Sequence, residues 1–178
     1  MKLEELIIDC IRNAGANVFS TMLGVEVRQG EVSVETGTPD PNDGVVSLIG
    51  LAGTWTGAGS ITCSPALACR VCAHMLMTES AAVNEDVLDA VAELTNMIIG
   101  SVKTDLEQHL GPLGLSIPTV VFGRNFKTRT SANSDWIVVR MHWDDEVLLV
   151  KVCLTRNPRM PHHQPPVHTA PHTCTLDV

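Results

Sequence analysis

The segment Asp89-Ala90-Val91-Ala92-Glu93-Leu94-Thr95-Asn96 places an acid, a second acid and a carboxamide at positions i, i+4 and i+7. In an α-helix of roughly 3.6 residues per turn, these three side chains lie on one face. A second set of residues recurs at helical spacing about 140° away and forms the stripe expected to be buried. Its members are Leu88, Val91, Thr95, Ile98, Val102 and Leu106. The segment therefore predicts a long amphipathic helix that presents its polar trio outward.

Gly100 falls on the polar face, one turn beyond Asn96. A glycine there costs about 1 kcal/mol of helix propensity but lets another backbone approach closely, which indicates a docking surface. Asn84 is suited to cap the start of the helix, and the Gly-Pro pair at 111–112 is suited to end it. We therefore predict helix from about residue 85 to 109.

The composition describes one domain followed by a tail. With 178 residues, 44% of them apolar, the chain can bury one sizeable core and does not require a second domain. We expect the domain to span residues 1–155. Residues 156–178 are rich in proline and histidine and lack apolar periodicity, so we expect this tail to be disordered.

The charge and hydropathy of the chain exclude several classes of partner. A net charge of −8, with the few basic residues dispersed, argues against nucleic-acid binding. No apolar run approaches the roughly 20 residues needed to span a bilayer. The acidic start of the chain is unlike a secretory signal peptide. We therefore expect a soluble, cytoplasmic protein that uses neither nucleic acid nor a membrane.

The cysteines and histidines do not indicate a metal centre. Most of the six cysteines lie in apolar runs, as reduced core cysteines do. Cys69 and Cys72 form a C-x-x-C pair, but their position inside a predicted helix favours packing over a redox or metal role. The tail contains possible ligands without a fixed geometry, so we predict no specific metal site.

The remaining chain reads as two further helices and a set of strands. An apolar stripe predicts helix over residues 3–22, and Ser64 followed by Pro65 marks the start of another helix. Strands are predicted at Val25–Val34, Val45–Ala52, Trp55–Cys63, Thr119–Phe126, Asp135–Trp143 and Val147–Leu154. The second and third of these strands are expected to form a hairpin, and the last two to be joined by a short turn. Because the order shows no βαβ rhythm, we predict an α+β layered sandwich with long helices packed on a mostly antiparallel sheet.

The polar trio has a match in a known family. Together with the segment Pro118–Arg124, the pattern resembles the CheX branch of the CheC/CheX/FliY phosphatases of bacterial chemotaxis. In that family an Asp-or-Ser-x3-Glu-x2-Asn pattern on a long helix is the active site. Asp89, Glu93 and Asn96 match it position by position, and the resemblance covers residues 3–154.

The resemblance implies a substrate and a role for each residue. The substrate would be a CheY-like receiver domain phosphorylated on its own aspartate. Glu93 would pair with the receiver's active-site lysine, while Asn96 would orient the hydrolytic water. Asp89 would either be structural or belong to the rim of the docking surface, of which Gly100 is already predicted to be part. Because Mg²⁺ and the phosphoaspartate belong to the receiver, this chain would need no cofactor of its own.

The resemblance also implies a homodimer that joins two sheets through their edges. The candidate seams are the exposed strand edges in the regions Val25–Val34 and Val45–Ala52.

Two other interpretations of the polar face stay open. The same residues could dock a receiver without catalysis, as in an adaptor or a dimerisation module. Alternatively, Glu93 and Asn96 could simply solvate the surface of the helix.

Overall fold

The computed structural model describes residues 2–36, 42–128 and 135–158. Its helices are α1 (Leu3–Val18), α2 (Pro65–Leu76) and α3 (Glu85–Leu110), and a π-helical segment (Phe19–Leu23) follows α1 directly. Its strands are β1 (Arg28–Glu35), β2 (Asn42–Gly53), β3 (Trp55–Cys63), β4 (Leu113–Leu115), β5 (Thr119–Phe126), β6 (Trp136–Trp143) and β7 (Glu146–Arg156).

The strands form one antiparallel sheet in the order β1-β6-β7-β3-β2-β4, with β5 also paired to β2. All three helices and the inward side chains of the sheet share one apolar core. The long helix α3 lies at its centre and packs against α1, α2 and strands β2 to β5. This arrangement confirms the predicted α+β architecture of helices layered on an antiparallel sheet.

Capping residues determine where α2 and α3 begin and where α3 ends. The Ser64 hydroxyl accepts a hydrogen bond from the Leu67 amide (3.0 Å), so Ser64 caps α2 as predicted. The Asn84 side chain accepts from the Val87 amide (3.0 Å) and caps α3 in the same way. Gly111, with φ of 83°, follows the last residue of α3. A positive φ at this position favours glycine and does not continue the helix.

The first helix differs from its prediction at its end. The predicted helix and its apolar stripe reach residue 22, but the side chain of Met22 is exposed. The reason is the π-helical segment, whose wider turns rotate successive side chains away from the 3.6-residue period of α1. Phe19 and Leu23 occupy the core there instead.

The predicted hairpins are present, but one predicted sheet edge is wrong. Strands β2 and β3 pair along their length, from Val45 opposite Cys63 to Leu51 opposite Gly57. On its other side β2 pairs with β4 and β5, so the Val45–Ala52 region has no free edge to offer a partner. Among the described strands, the outer positions belong to β1 and to the β4–β5 side.

The last described residues are hydrogen-bonded to the sheet. Strand β7 ends at Arg156, and the Asn157 amide donates to the Thr54 carbonyl (3.0 Å). Most of the predicted tail, residues 159–178, lies outside the described residues.

The cysteine pair of α2 belongs to its packing. Cys72 is buried, Cys69 is half-buried, and both carry free thiols. Burial, with a smaller contribution from Cys72, raises the pKa of the Cys69 thiol, which is the opposite of what a redox motif requires.

Candidate active site

The candidate site is a face of α3, and the packing of that helix determines which side chains it exposes. The core side of α3 is lined by fully buried apolar residues such as Val91, Ile98 and Val102. Thr95 is also buried, and its hydroxyl donates to the Val91 carbonyl (2.7 Å), so this polar group is satisfied within the helix. With that side held against the sheet, the opposite side must face solvent.

The structure brings the predicted polar residues together on the solvent side. Asp89, Glu93 and Asn96 are all exposed, and Gly100 is half-buried. At about 1.5 Å of rise per residue, Glu93 and Asn96 lie roughly 4.5 Å apart along the helix axis, with Asp89 about 6 Å before Glu93. The four residues form a continuous strip, which we call the α3 polar face.

The α3 polar face carries uncompensated negative charge at its centre. Within the described chain, neither Asp89 nor Glu93 has an ion-pair or hydrogen-bond partner. The first lysine or arginine along α3 is Lys103, two turns beyond Asn96 on the same side of the helix. Its ammonium contacts the Glu107 carboxylate (2.6 Å) and is thereby neutralised. A positively charged group of a partner would therefore find a free carboxylate here.

Strand β4 borders the far end of the α3 polar face. If a Cβ were added at Gly100, its nearest heavy atom outside the helix would be Leu115 Cδ1, at 3.8 Å. No backbone of the described chain outside α3 comes within 4 Å of this Cβ position, which would be in ordinary van der Waals contact with the Leu115 side chain. The sequence analysis missed β4 because a strand of three residues carries too little alternation to be recognised.

The side chains of the α3 polar face are suited to positioning a cation and a water molecule. A carboxylate accepts hydrogen bonds and attracts a cation, whereas a carboxamide both donates and accepts and can hold a water in a chosen orientation. No group of three or more His, Cys, Asp or Glu residues suited to a metal ion occurs in 2–36, 42–128 or 135–158. No helix in these ranges is both long and apolar enough to cross a bilayer.

A family model described as chemotaxis phosphatase CheX matches residues 45–142, which is more than half of the chain and includes all of α3. The chain belongs to the CheX family. A relative named CheY-P phosphatase CheX, from Thermotoga maritima, is 28% identical over 130 residues, covering 72% of this chain and 83% of the relative.

Solved structures of CheX proteins share the fold. CheX from Desulfovibrio desulfuricans superposes with a TM-score of 0.75 at 26% identity, covering 84% of this chain and 99% of that one. CheX from Vibrio vulnificus has a TM-score of 0.74 at 25% identity over the same shares. CheX from Borrelia burgdorferi, solved in complex with CheY, BeF3 and Mg²⁺, has a TM-score of 0.72 at 22% identity, covering 83% and 97%.

Proposed function

We propose that this CheX-family protein accelerates hydrolysis of the phosphoaspartate of a CheY-like receiver domain. The observation that carries the proposal is the exposed, unpartnered pair Glu93 and Asn96, one turn apart on α3. The names of the Thermotoga and Borrelia relatives support the choice of substrate and partner.

Glu93 anchors the receiver in this proposal. A receiver of the CheY type presents a lysine beside its phosphorylated aspartate, and the Glu93 carboxylate has no partner of its own to give up. A charge-assisted hydrogen bond between the two groups would fix the helix over the phosphoryl group. Since both groups are solvated before they meet, the pair contributes orientation more than affinity.

Asn96 positions the water that attacks the phosphorus atom. It lies one turn beyond Glu93, so anchoring Glu93 brings the carboxamide over the phosphoryl group. Phosphoryl transfer depends mainly on in-line positioning and electrostatic stabilisation, and a carboxamide can hold the water through both its donor and its acceptor. The water adds to phosphorus, the bond from phosphorus to the aspartate oxygen breaks, and inorganic phosphate leaves.

The receiver supplies the remaining chemistry. Mg²⁺ and the phosphoaspartate are held by the receiver, so the chain needs no cofactor of its own in this proposal. Asp89, one turn before Glu93, belongs to the rim of the docking surface. The cytoplasm, where receivers are phosphorylated, is the proposed location.

A homodimer joined through sheet edges is part of the same proposal. The region Val25–Val34 remains a candidate seam, because β1 is an outer strand of the sheet. The β5 edge replaces Val45–Ala52 as the second candidate, because β5 covers that side of β2.

The test is the decay of a phosphorylated CheY-like receiver from the same organism, with and without this protein. Wild-type protein should accelerate the decay, and Asn96→Ala should abolish the acceleration while receiver binding is largely retained. Glu93→Ala should weaken binding only a few-fold, because a solvated ion pair contributes about 0.2–1 kcal/mol. Asn13→Ala, at an exposed asparagine of α1, is the matched control and should behave as wild type.

The decay measurement also separates catalysis from the adaptor alternative. Unchanged decay together with measurable receiver binding would show a non-catalytic docking module. Acceleration that survives both Asn96→Ala and Glu93→Ala would show that the reaction does not depend on the α3 polar face.

A further inference from the structure

One large apolar side chain is almost fully exposed on the sheet border next to α3. The side chain of Ile117 is 87% exposed and lies two residues beyond the end of strand β4. Exposed aliphatic side chains are common singly on protein surfaces, so exposure alone assigns no role. Two further features of Ile117 indicate a role: the backbone conformation around it and its position relative to the α3 polar face.

A β-bulge turns Ile117 outward. Leu115 pairs with Leu51 and Thr119 pairs with Leu48, so residues 116–118 stand opposite only Ile49 and Gly50. The extra residue interrupts the edge strand between β4 and β5. Bulges of this kind redirect side chains and are over-represented beside active sites.

The bulge is held in place by Ser116. Its amide donates to the Gly50 carbonyl (3.0 Å), and its hydroxyl accepts from the Gly50 amide (2.8 Å). The Ser116 hydroxyl therefore takes the place of the backbone carbonyl that would accept from the Gly50 amide in a regular antiparallel pair. The same hydroxyl donates to the Ile117 carbonyl (2.9 Å), which fixes the backbone that carries the isoleucine.

Ile117 follows the short strand that borders the Gly100 end of the α3 polar face. The chain reverses direction after α3. The Leu113 amide donates a hydrogen bond to the Glu107 carboxylate (2.8 Å), and the Leu115 side chain lies next to Gly100. Ile117 stands two residues beyond Leu115, outside any strand, so at most about 7 Å of extended chain separates it from the residue that contacts Gly100.

We propose that Ile117 is a receiver-binding residue that packs on an apolar part of the receiver surface next to the phosphorylated aspartate. This inference rests on the proposed function, because the occupant is the same receiver that the α3 polar face engages. Solvated polar contacts supply orientation but little affinity. Burying one aliphatic side chain beside them removes apolar area from water and supplies the affinity they lack.

The experiment measures the affinity of the receiver loaded with BeF3 and Mg²⁺ for wild type and for Ile117→Thr. Threonine keeps the β-branched shape suited to a strand edge but removes most of the apolar surface. We expect the Kd to rise about tenfold, equivalent to about 1.4 kcal/mol. Under saturating receiver, the turnover rate should be unchanged. Ile117→Val should stay close to wild type.

The control variant is Met22→Gln. Met22 is a half-exposed apolar residue in the π-helical segment that follows α1, outside the α3 polar face and the candidate dimer seams. It should leave the receiver Kd unchanged. Thermal unfolding and oligomeric state are recorded for all variants, and neither should change for Ile117→Thr.

The outcomes separate this inference from the proposed function. A raised Kd with unchanged turnover supports Ile117 as a binding residue, and the binding assay gives this answer even if wild type does not accelerate dephosphorylation. An unchanged Kd overturns the inference. A change in oligomeric state also overturns it, because Ile117 would then belong to a contact between copies of the chain.

Discussion

Ile99 of α3 packs directly on Gly59 of β3. If a Cβ were added at Gly59, it would lie 2.7 Å from Ile99 Cγ2 and 2.9 Å from its Cγ1 and Cδ1. Both residues are buried, so the contact cannot relax into solvent. The absence of a side chain at Gly59 therefore sets how closely the helix that carries the α3 polar face approaches the sheet.

We predict that Gly59→Ala lowers the free energy of unfolding by about 1–3 kcal/mol, the usual cost of overpacking a well-filled core. Chemical denaturation of both proteins measures the difference. Adding Ile99→Val should recover part of the loss, because it removes one methyl group from the contact. Gly114→Ala, where a Cβ would meet its nearest atom at 3.5 Å, is the control and should be near neutral. Equal effects at both glycines would contradict this account.

The cap of α3 gives a second prediction. Asn84→Ala removes the acceptor for the Val87 amide and should lower the free energy of unfolding by about 0.5–2 kcal/mol. Asn84→Asp retains an acceptor oxygen at the helix start and should lose much less. Thermal or denaturant unfolding compares the two variants with wild type. If alanine and aspartate destabilise equally, the side-chain hydrogen bond is not what stabilises this end of the helix.

The features predicted correctly from sequence are those encoded by neighbouring residues. The caps at Ser64 and Asn84, the length of α3 and the exposed side of that helix all follow from residue type and spacing over a few turns. The hairpin between β2 and β3 is also local, since a short glycine-containing connection joins two strand-like runs. The outward placement of Glu93 and Asn96 belongs to this class.

The features that sequence analysis missed depend on contacts between distant segments. Whether the Val45–Ala52 region is an edge depends on β5, whose partner residues are some 70 positions away. The bulge at Ser116 is defined by its pairing with Gly50, and the sequence around Ser116 does not indicate it. The apolar spacing of α1 continues in the sequence up to Met22, but the π-helical turn changes the helical period there and leaves Met22 exposed.

A pH dependence is predicted for the end of α3. The hydrogen bond from Lys103, together with that from the Leu113 amide, lowers the pKa of the Glu107 carboxyl from its ordinary value of 4.5. A folded-state pKa below the unfolded one stabilises the fold above pH 4.5, and this contribution is lost as the pH falls through the lowered value.

The measurement compares the unfolding free energy of wild type and Glu107→Gln between pH 3 and pH 7. The variant should be less stable than wild type at pH 7, and the difference should shrink steadily below pH 4.5. A difference that stays constant over this range would show that the charge of Glu107 does not contribute.

Gly100 is expected to affect stability and receiver binding in opposite directions. Because a Cβ there would sit 3.8 Å from Leu115 Cδ1, Gly100→Ala fits without a clash. It should raise the free energy of unfolding by roughly 0.5–1 kcal/mol, since alanine is the better helix former. The same methyl group should raise the Kd for the receiver if the receiver's backbone passes over this position.

Ser101→Ala is the matched control for Gly100→Ala, because it improves helix propensity on the same turn but points away from the α3 polar face. It should raise the free energy of unfolding slightly and leave the receiver Kd unchanged. Binding is measured with the BeF3-loaded receiver and stability by denaturant unfolding. If Gly100→Ala stabilises the fold and binds the receiver as wild type does, the docking surface ends before Gly100 and the glycine serves only the contact with β4.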